Sequence, residues 1–321
     1  MSQLRWVALF LYAVSLPSPA QQYPSRPIRV LIPFTAGSAA DIIARAMEPA
    51  MRQRLGQPLV IDNRAGAGGN IAAELAAKAT PDGYTIMMAT IGTHAINHSL
   101  YSNLNFHPQR DFTPVGLVAE SPNALEINPK VQANSIQDLI ALAKAKPGAL
   151  NYGSSGSGTT VHLSAELFSV MTGIRMTHVP HKGAAEALAS LLGGQTDLMF
   201  ASLSSSIPLI KAGRLRAFAV TGASRSPSIP ELPTVAEAAD LKGFEASAWF
   251  GIVGPSGMPK AAVAVLGKAS LSALEDAEVR KRLFNAGVEI RTSTPDEFAR
   301  YIASEMIKWE KVVKASGAKV D

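Results

Sequence analysis

Cysteine is absent from the 321 residues, which excludes disulfides, thiolate metal ligands and a cysteine nucleophile together. Charge is scarce as well, at 17% of residues. The formal net charge of +5 is scattered, without a basic run or a zinc-finger spacing, so a nucleic-acid partner is not expected. No stretch is long and apolar enough to span a bilayer, which takes ~20 residues. What is abundant is apolar side chain, at 47%, enough to bury a large core in one or two domains and to hold an exported chain together by packing alone.

The first twenty residues differ from the rest. Arg5 gives a positive start, "WVALFLYAVSL" from Trp6 to Leu16 an apolar run, and "PSPA" ends in small residues at Ser18 and Ala20. This three-part form predicts a secretory signal peptide over residues 1–20, cleaved near Ala20, and an exported protein.

Short apolar runs then alternate with longer amphipathic ones. "PIRVLIPF", "PLVIDN" and "YTIMMAT" read as buried strands, and "DIIARAMEPAMRQRL" and "GGNIAAELAAKA" as helices, the first expected to bend at Pro49. After Ser121 a second set begins. "SIQDLIALAKAKPG", "VHLSAELFSVMTG" and "AAEALASLLGG" read as helices, with strands at "LNYG", "RMTHVP" and "TDLMFAS". Strand and helix alternate throughout, so the fold class is α/β, with mostly parallel sheets flanked by helices. In the last segment Phe298, Ile302, Met306, Trp309 and Val313 recur at helical spacing, which is read as a core stripe.

In such sheets ligands bind beyond the carboxyl ends of strands, where helix N-termini offer free N–H groups and partial positive charge. "PFTAGSAAD" and "GSSGSGTTVH" are strand-to-helix loops of this kind, and each is able to hold one carboxylate. Ser38 and Asp41 also have capping-box spacing, and capping alone explains both. Enzyme patterns fail. The lipase pattern around Ser155 finds Ser157 in its last place, Gly158 is followed by Thr159 where a phosphate loop needs lysine, and "HAINH" lacks the glutamate of a zinc protease. No cofactor and no metal are expected, and His178 and His181 are read as structural or ligand-contacting.

From "YPSRPIRVLIPFTAG" to "KWEKVVKASGAKV" the chain resembles the Bug or TctC-like family, the receptors of tripartite tricarboxylate transporters. The matching stretches include "GQPLVIDNRAGAGGNIAAELAAKATPDGYTI", "THAINHSLY", "NYGSSGSGTTVHLSAELF", "HVPHKG", "GRLRAFAVT", "ELPTVAEA" and "WFGIVGPSGMP". The resemblance implies a type II-like periplasmic binding protein of two domains, residues 21–122 with 248–321 and residues 123–247, the ligand lying in the cleft between them. It implies a monomer without enzymatic activity that passes a small carboxylate to a membrane permease. A ligand sensor on the same scaffold would carry the same sequence. Carried across, the ligand-binding positions are Phe34, Thr35, Ala36, Gly37, Ser38 and Asp41 in the first loop. In the second loop they are Ser155, Gly156, Ser157, Gly158, Thr159 and Thr160, joined by Thr93, His181, Phe200 and Ala201. Three positions depart from the family pattern: Ser38 for glycine, His181 for tyrosine and Ala201 for aspartate. If the second place of Gly37-Ser38 needs a positive φ, serine is strained there. His181 is expected to line the cleft as a donor, and Ala201 to favour a carboxylate without an amine.

Overall fold

A computed structural model describes residues 23–318 and residue 320; the expected signal segment lies outside the described residues. The chain opens with β1 (Ile28–Ile32), α1 (Ala39–Leu55), β2 (Leu59–Asn63), a 3-10 turn (Ala67–Gly69), α2 (Asn70–Ala77) and β3 (Thr85–Thr90). A π-helical turn (Gly92–Ile96), the one-turn α3 (Asn97–Leu100) and the long β4 (Phe112–Ser121) follow. Pro122 alone separates β4 from β5 (Asn123–Ile127), after which come α4 (Ile136–Ala145), β6 (Asn151–Ser154), α5 (Thr160–Thr172), β7 (Thr177–Pro180) and α6 (Ala184–Gly193). Next are β8 (Leu198–Ser202), α7 (Leu203–Lys211), β9 (Arg216–Val220) and α8 (Val235–Ala239). The chain ends with β10 (Ala248–Pro255), α9 (Lys260–Glu275), α10 (Ala277–Asn285), β11 (Glu289–Ile290) and α11 (Pro295–Ser316).

The described strands form two sheets, ordered β11-β4-β10-β3-β1-β2 and β7-β6-β8-β5-β9. Parallel pairing holds in the helix-connected parts, β1 with β2 and β3, and β6 with β7 and β8. It gives way to antiparallel pairing where β10 meets β3 and β4, where β11 meets β4, and where β5 meets β8 and β9. The reason lies in the path of the chain. β4 leads out of the first sheet and β10 leads back into it, and a strand that leaves and one that returns run in opposite directions side by side.

Helices cover the sheets through their apolar faces. α1 turns Ile43, Met47 and Met51 onto the first sheet and packs against α9, and it continues unbroken through Pro49. α11 buries Phe298, Ile302, Trp309 and Val313, with Met306 half-buried, so the C-terminal stripe is core. Its Glu305 carboxylate is buried, and Oε2 accepts from the indole N–H groups of Trp249 and Trp309 at 3.1 and 3.0 Å. α11 packs on the π-helical turn, α3 and β4, and also on α5, a helix that flanks the second sheet.

Candidate functional site

A cavity of about 530 Å³ opens between the carboxyl ends of strands from the two sheets. The first sheet contributes the loop Phe34–Ser38 after β1 and Ile91 and Gly92 after β3; the second contributes Ser155 and Ser157–Thr160 after β6, Ala184 beyond β7 and Ser202 at the end of β8. Ser121, Asn123, Ala248 and Phe250, where the chain passes between sheets, also line it. Among the described residues no charged side chain lines this wall. Its polarity comes from hydroxyls, amides and helix starts: α1, α5, α6 and α7 all begin at the cavity. Each start brings N–H groups without an intrahelical acceptor and roughly half a positive charge.

The two principal loops are built alike. In the first, Gly37 has φ +83°, Ser38 caps α1 with φ −68° and ψ 159°, and the Asp41 N–H donates to Ser38 Oγ at 3.3 Å. The Gly37 N–H in turn donates to Asp41 Oδ2 at 2.9 Å. In the second, Gly158 has φ +77°, Thr159 caps α5 with φ −72° and ψ 160°, and the His162 N–H donates to Thr159 Oγ1 at 3.3 Å. Here the Gly158 N–H donates to His162 Nδ1 at 3.0 Å. In both loops the glycine takes the left-handed turn and the third helical residue reaches back to hold its amide. The next two helix amides, of Ala39 and Ala40 or of Thr160 and Val161, sit at the wall, where they can meet an anion.

Ser38 therefore sits in ordinary extended backbone. The positive φ falls on Gly37, and the strain expected for serine is absent.

Six sequence-derived positions do not line the cavity. Asp41 is 3% exposed, and its carboxylate accepts from Gly37, from Arg45 Nε at 2.9 and 3.0 Å and from Asn63 Nδ2 at 3.0 Å. Burial pushes this carboxyl up, but those bonds outweigh it and hold it below the usual range. Asp41 thus positions the loop. Gly156 is turned inward, its N–H held by Ser154 Oγ at 3.2 Å. Thr93 is fully buried and spent on Thr90, receiving the Thr90 N–H at 3.1 Å; Ile91 and Gly92 reach the wall instead. Phe200 and Ala201 are fully buried within β8, Phe200 against Phe168 and Phe244, and only the residue at the carboxyl end of the strand, Ser202, reaches the cavity. His181 also misses the wall; its side chain lies beside Glu186, with Nδ1 3.8 Å from Oε1. The remaining ten, Phe34, Thr35, Ala36, Gly37, Ser38, Ser155, Ser157, Gly158, Thr159 and Thr160, are brought together there.

The sequence reading missed Gly68, Asn97, Leu100 and Tyr101, which close one side. Asn97 Nδ2 donates to Gly68 O and Asn70 Oδ1 at 3.0 and 2.6 Å. Gly68 belongs to the 3-10 turn, whereas Asn97 and Leu100 lie in the one-turn α3 and Tyr101 ends it, segments too short for a hydrophobic period to announce. Ile91, Gly92 and Ser202 had a signal, since each stands just past the end of a recognisable strand. The π-helical turn also separates the two histidines of "HAINH": His94 is fully buried and His98 exposed.

Residues 43–318 match the family model described as the tripartite tricarboxylate transporter family receptor. The chain belongs to that receptor family. It is 33% identical to the protein BugT of Bordetella pertussis over 317 residues, covering 98% of this chain and 97% of that one. Among solved structures, R. palustris Rpa4515 with adipate is 39% identical with a TM-score of 0.81, covering 93% of this receptor and all of that chain. MatC (Rpa3494) from Rhodopseudomonas palustris with bound malate is 33% identical with a TM-score of 0.78, covering 91% and 100%. The receptor has the periplasmic-binding-protein fold of these relatives, and its family is one of periplasmic binding receptors rather than enzymes. No helix of the described residues is long and apolar enough to cross a membrane.

Proposed function

We propose that this receptor captures a small organic dicarboxylate by its two ends and delivers it to the permease of a tripartite tricarboxylate transporter. One observation carries the reading: two loops of matching construction, one from each sheet, present helix starts to the same cavity, whose wall has no charged side chain among the described residues. A carboxylate at each start would be bound by preorganised N–H groups and hydroxyls, and charge-assisted bonds of that kind are about twice as strong as neutral ones. Adipate and malate, seen with two relatives, are both diacids. The two sheets are read as the cores of two domains, residues 21–122 with 248–321 and residues 123–247, hinged at Pro122 and near Ala248 and closing over the ligand.

A ligand ammonium would find no carboxylate among the described residues of the wall. Calorimetry with a panel of C4 to C8 diacids, their monomethyl and dimethyl esters, and 2-amino analogues is expected to rank the diacid first and the amino acid below its deaminated partner. Dimethyl esters binding as tightly as diacids would end the dicarboxylate reading; a tighter amino acid would end the preference against amines. Delivery is tested in cells: deletion of the gene is expected to abolish uptake of the bound diacid, and uptake unchanged by deletion would favour a sensing role.

A further inference from the structure

We infer that His162, which does not reach the cavity wall, is the positioning residue that shapes the second carboxylate loop, acting as a neutral acceptor where the first loop uses an ionised aspartate. The inference rests on the two-ended reading above and deepens it by saying how the second end is made selective.

The comparison of the loops carries the argument. Asp41 and His162 occupy the same place, third in their helices, and each accepts the N–H of a left-handed glycine two residues before its helix. Four residues further along, the partners are reversed. Asp41 is followed by Arg45, whose Nε donates to it, whereas His162 is followed by Glu166, whose Oε1 lies 3.7 Å from Nε2. Because the Gly158 N–H donates to Nδ1, the ring proton resides on Nε2, on the side of that carboxyl. Around the ring stand His178, stacked at 4.0 Å between centroids, and Tyr152, stacked at 6.1 Å, whose hydroxyl donates to Glu166. Ser154 Oγ bonds His178 Nε2 at 2.6 Å and receives the Gly156 N–H, so the same cluster holds two alternate amides of the loop inward. Burial, reinforced by His178, pushes the His162 pKa down to about 3, which keeps the acceptor lone pair available.

With the amides of Gly156 and Gly158 held inward, the α5 start is fixed toward the cavity. Without an acceptor at His162 the Gly158 amide is released and the loop loses its shape. A carboxylate in place of the imidazole, lacking a following arginine and facing Glu166 one turn on, would not substitute as it does in the first loop.

Three variants and two readouts test this. In the wild type, 15N NMR of the His162 ring should show a protonated Nε2 and an unprotonated Nδ1. A protonated Nδ1 would overturn the inference whatever the protein binds. In calorimetry with adipate and monomethyl adipate, His162→Leu is expected to weaken adipate about tenfold, the worth of one lost charge-assisted contact, with the monoester shifting less than threefold. His162→Asn, whose Oδ1 can take the Gly158 N–H, should restore adipate to within about threefold, and His162→Asp should not. Equal losses for adipate and monoester, or an unaffected His162→Leu, would reduce His162 to a packing role. Failure of the wild type to prefer adipate over dimethyl adipate would instead end the dicarboxylate reading, leaving the ring tautomer as the test of the loop.

Discussion

Glu126 lies in β5, between β8 and β9, with no exposed surface. Burial pushes its carboxyl up to about 8; the Ser206 hydroxyl on α7 pulls the other way, though neither group makes a hydrogen bond of full geometry among the described residues. A carboxyl raised in the folded state contributes stability that is complete below its unfolded pKa and is lost as pH rises through the folded one, here from about 4.5 to about 8. Glu126→Gln keeps the volume and removes the ionisation. It is expected to raise the unfolding free energy by roughly 1–3 kcal/mol at pH 8 and to change it little at pH 4, as read by urea denaturation. Nothing in "NALEI" marks this residue in the sequence; burial of one acid in an apolar strand depends on which helix covers that face. Ser38 is the opposite case. Its spacing to Asp41 shows the cap directly, while the φ values that free it from strain belong to its neighbour.

At the scale of elements, the loops show what the sequence can and cannot display. The Gly-Ser and Gly-Thr starts of α1 and α5 follow from cap chemistry, which is local and carried by adjacent residues. That Asp41 and His162 play matching parts was not legible, because one is an acid and the other a base, and only their shared bond to a glycine amide relates them. The 3-10 turn and the one-turn α3 were hidden for a different reason: each is too short to show a hydrophobic period, and they meet through the Asn97 side chain, which donates to Gly68 O. The matched glycines also differ in surroundings. A Cβ at Gly37 would meet open space, whereas one at Gly158 would strike the Leu100 side chain from the other sheet's side of the cavity. Gly37→Ala is therefore expected to cost about 1 kcal/mol, the price of left-handed backbone alone, and Gly158→Ala measurably more. In a Leu100→Ala background, itself less stable, the further cost of Gly158→Ala should fall to that of Gly37→Ala, and equal costs of the two glycine substitutions in the wild type by thermal unfolding would show that Leu100 gives way freely.

Across the whole molecule, buried titrating groups pull in two directions. Burial holds His94 and His162 down to about 3 and His178 to about 4, with His178 adding to the shift of His162 and His181 to that of His178. Such depressed groups contribute stability that is present above the unfolded value near 6.5 and is lost as pH falls. Glu126, with Glu166 and Glu289 shifted in the same sense by burial, loses stability toward alkaline pH. The balance predicts a stability maximum at about pH 7, and Glu126→Gln should move it upward; a maximum that stays in place would remove Glu126 from the account. The alternation of strands and helices made the α/β class legible before any coordinate, because it is written in local periodicity. The mixed pairing was not, because the direction of β4 against β10 is a property of the chain's path.

The cavity wall has a consequence for the receptor's chemistry in its compartment. Tyr101, its one ionisable side chain among the described residues, is held neutral by burial, and the dipoles of helix starts cannot gain or lose a proton. A grip of that kind would be indifferent to acidity: between about pH 7 and 8, where a small diacid is almost wholly in its doubly ionised form, the dissociation constant should stay level. Cargo would then be let go by mechanical opening alone, with no proton required as a key.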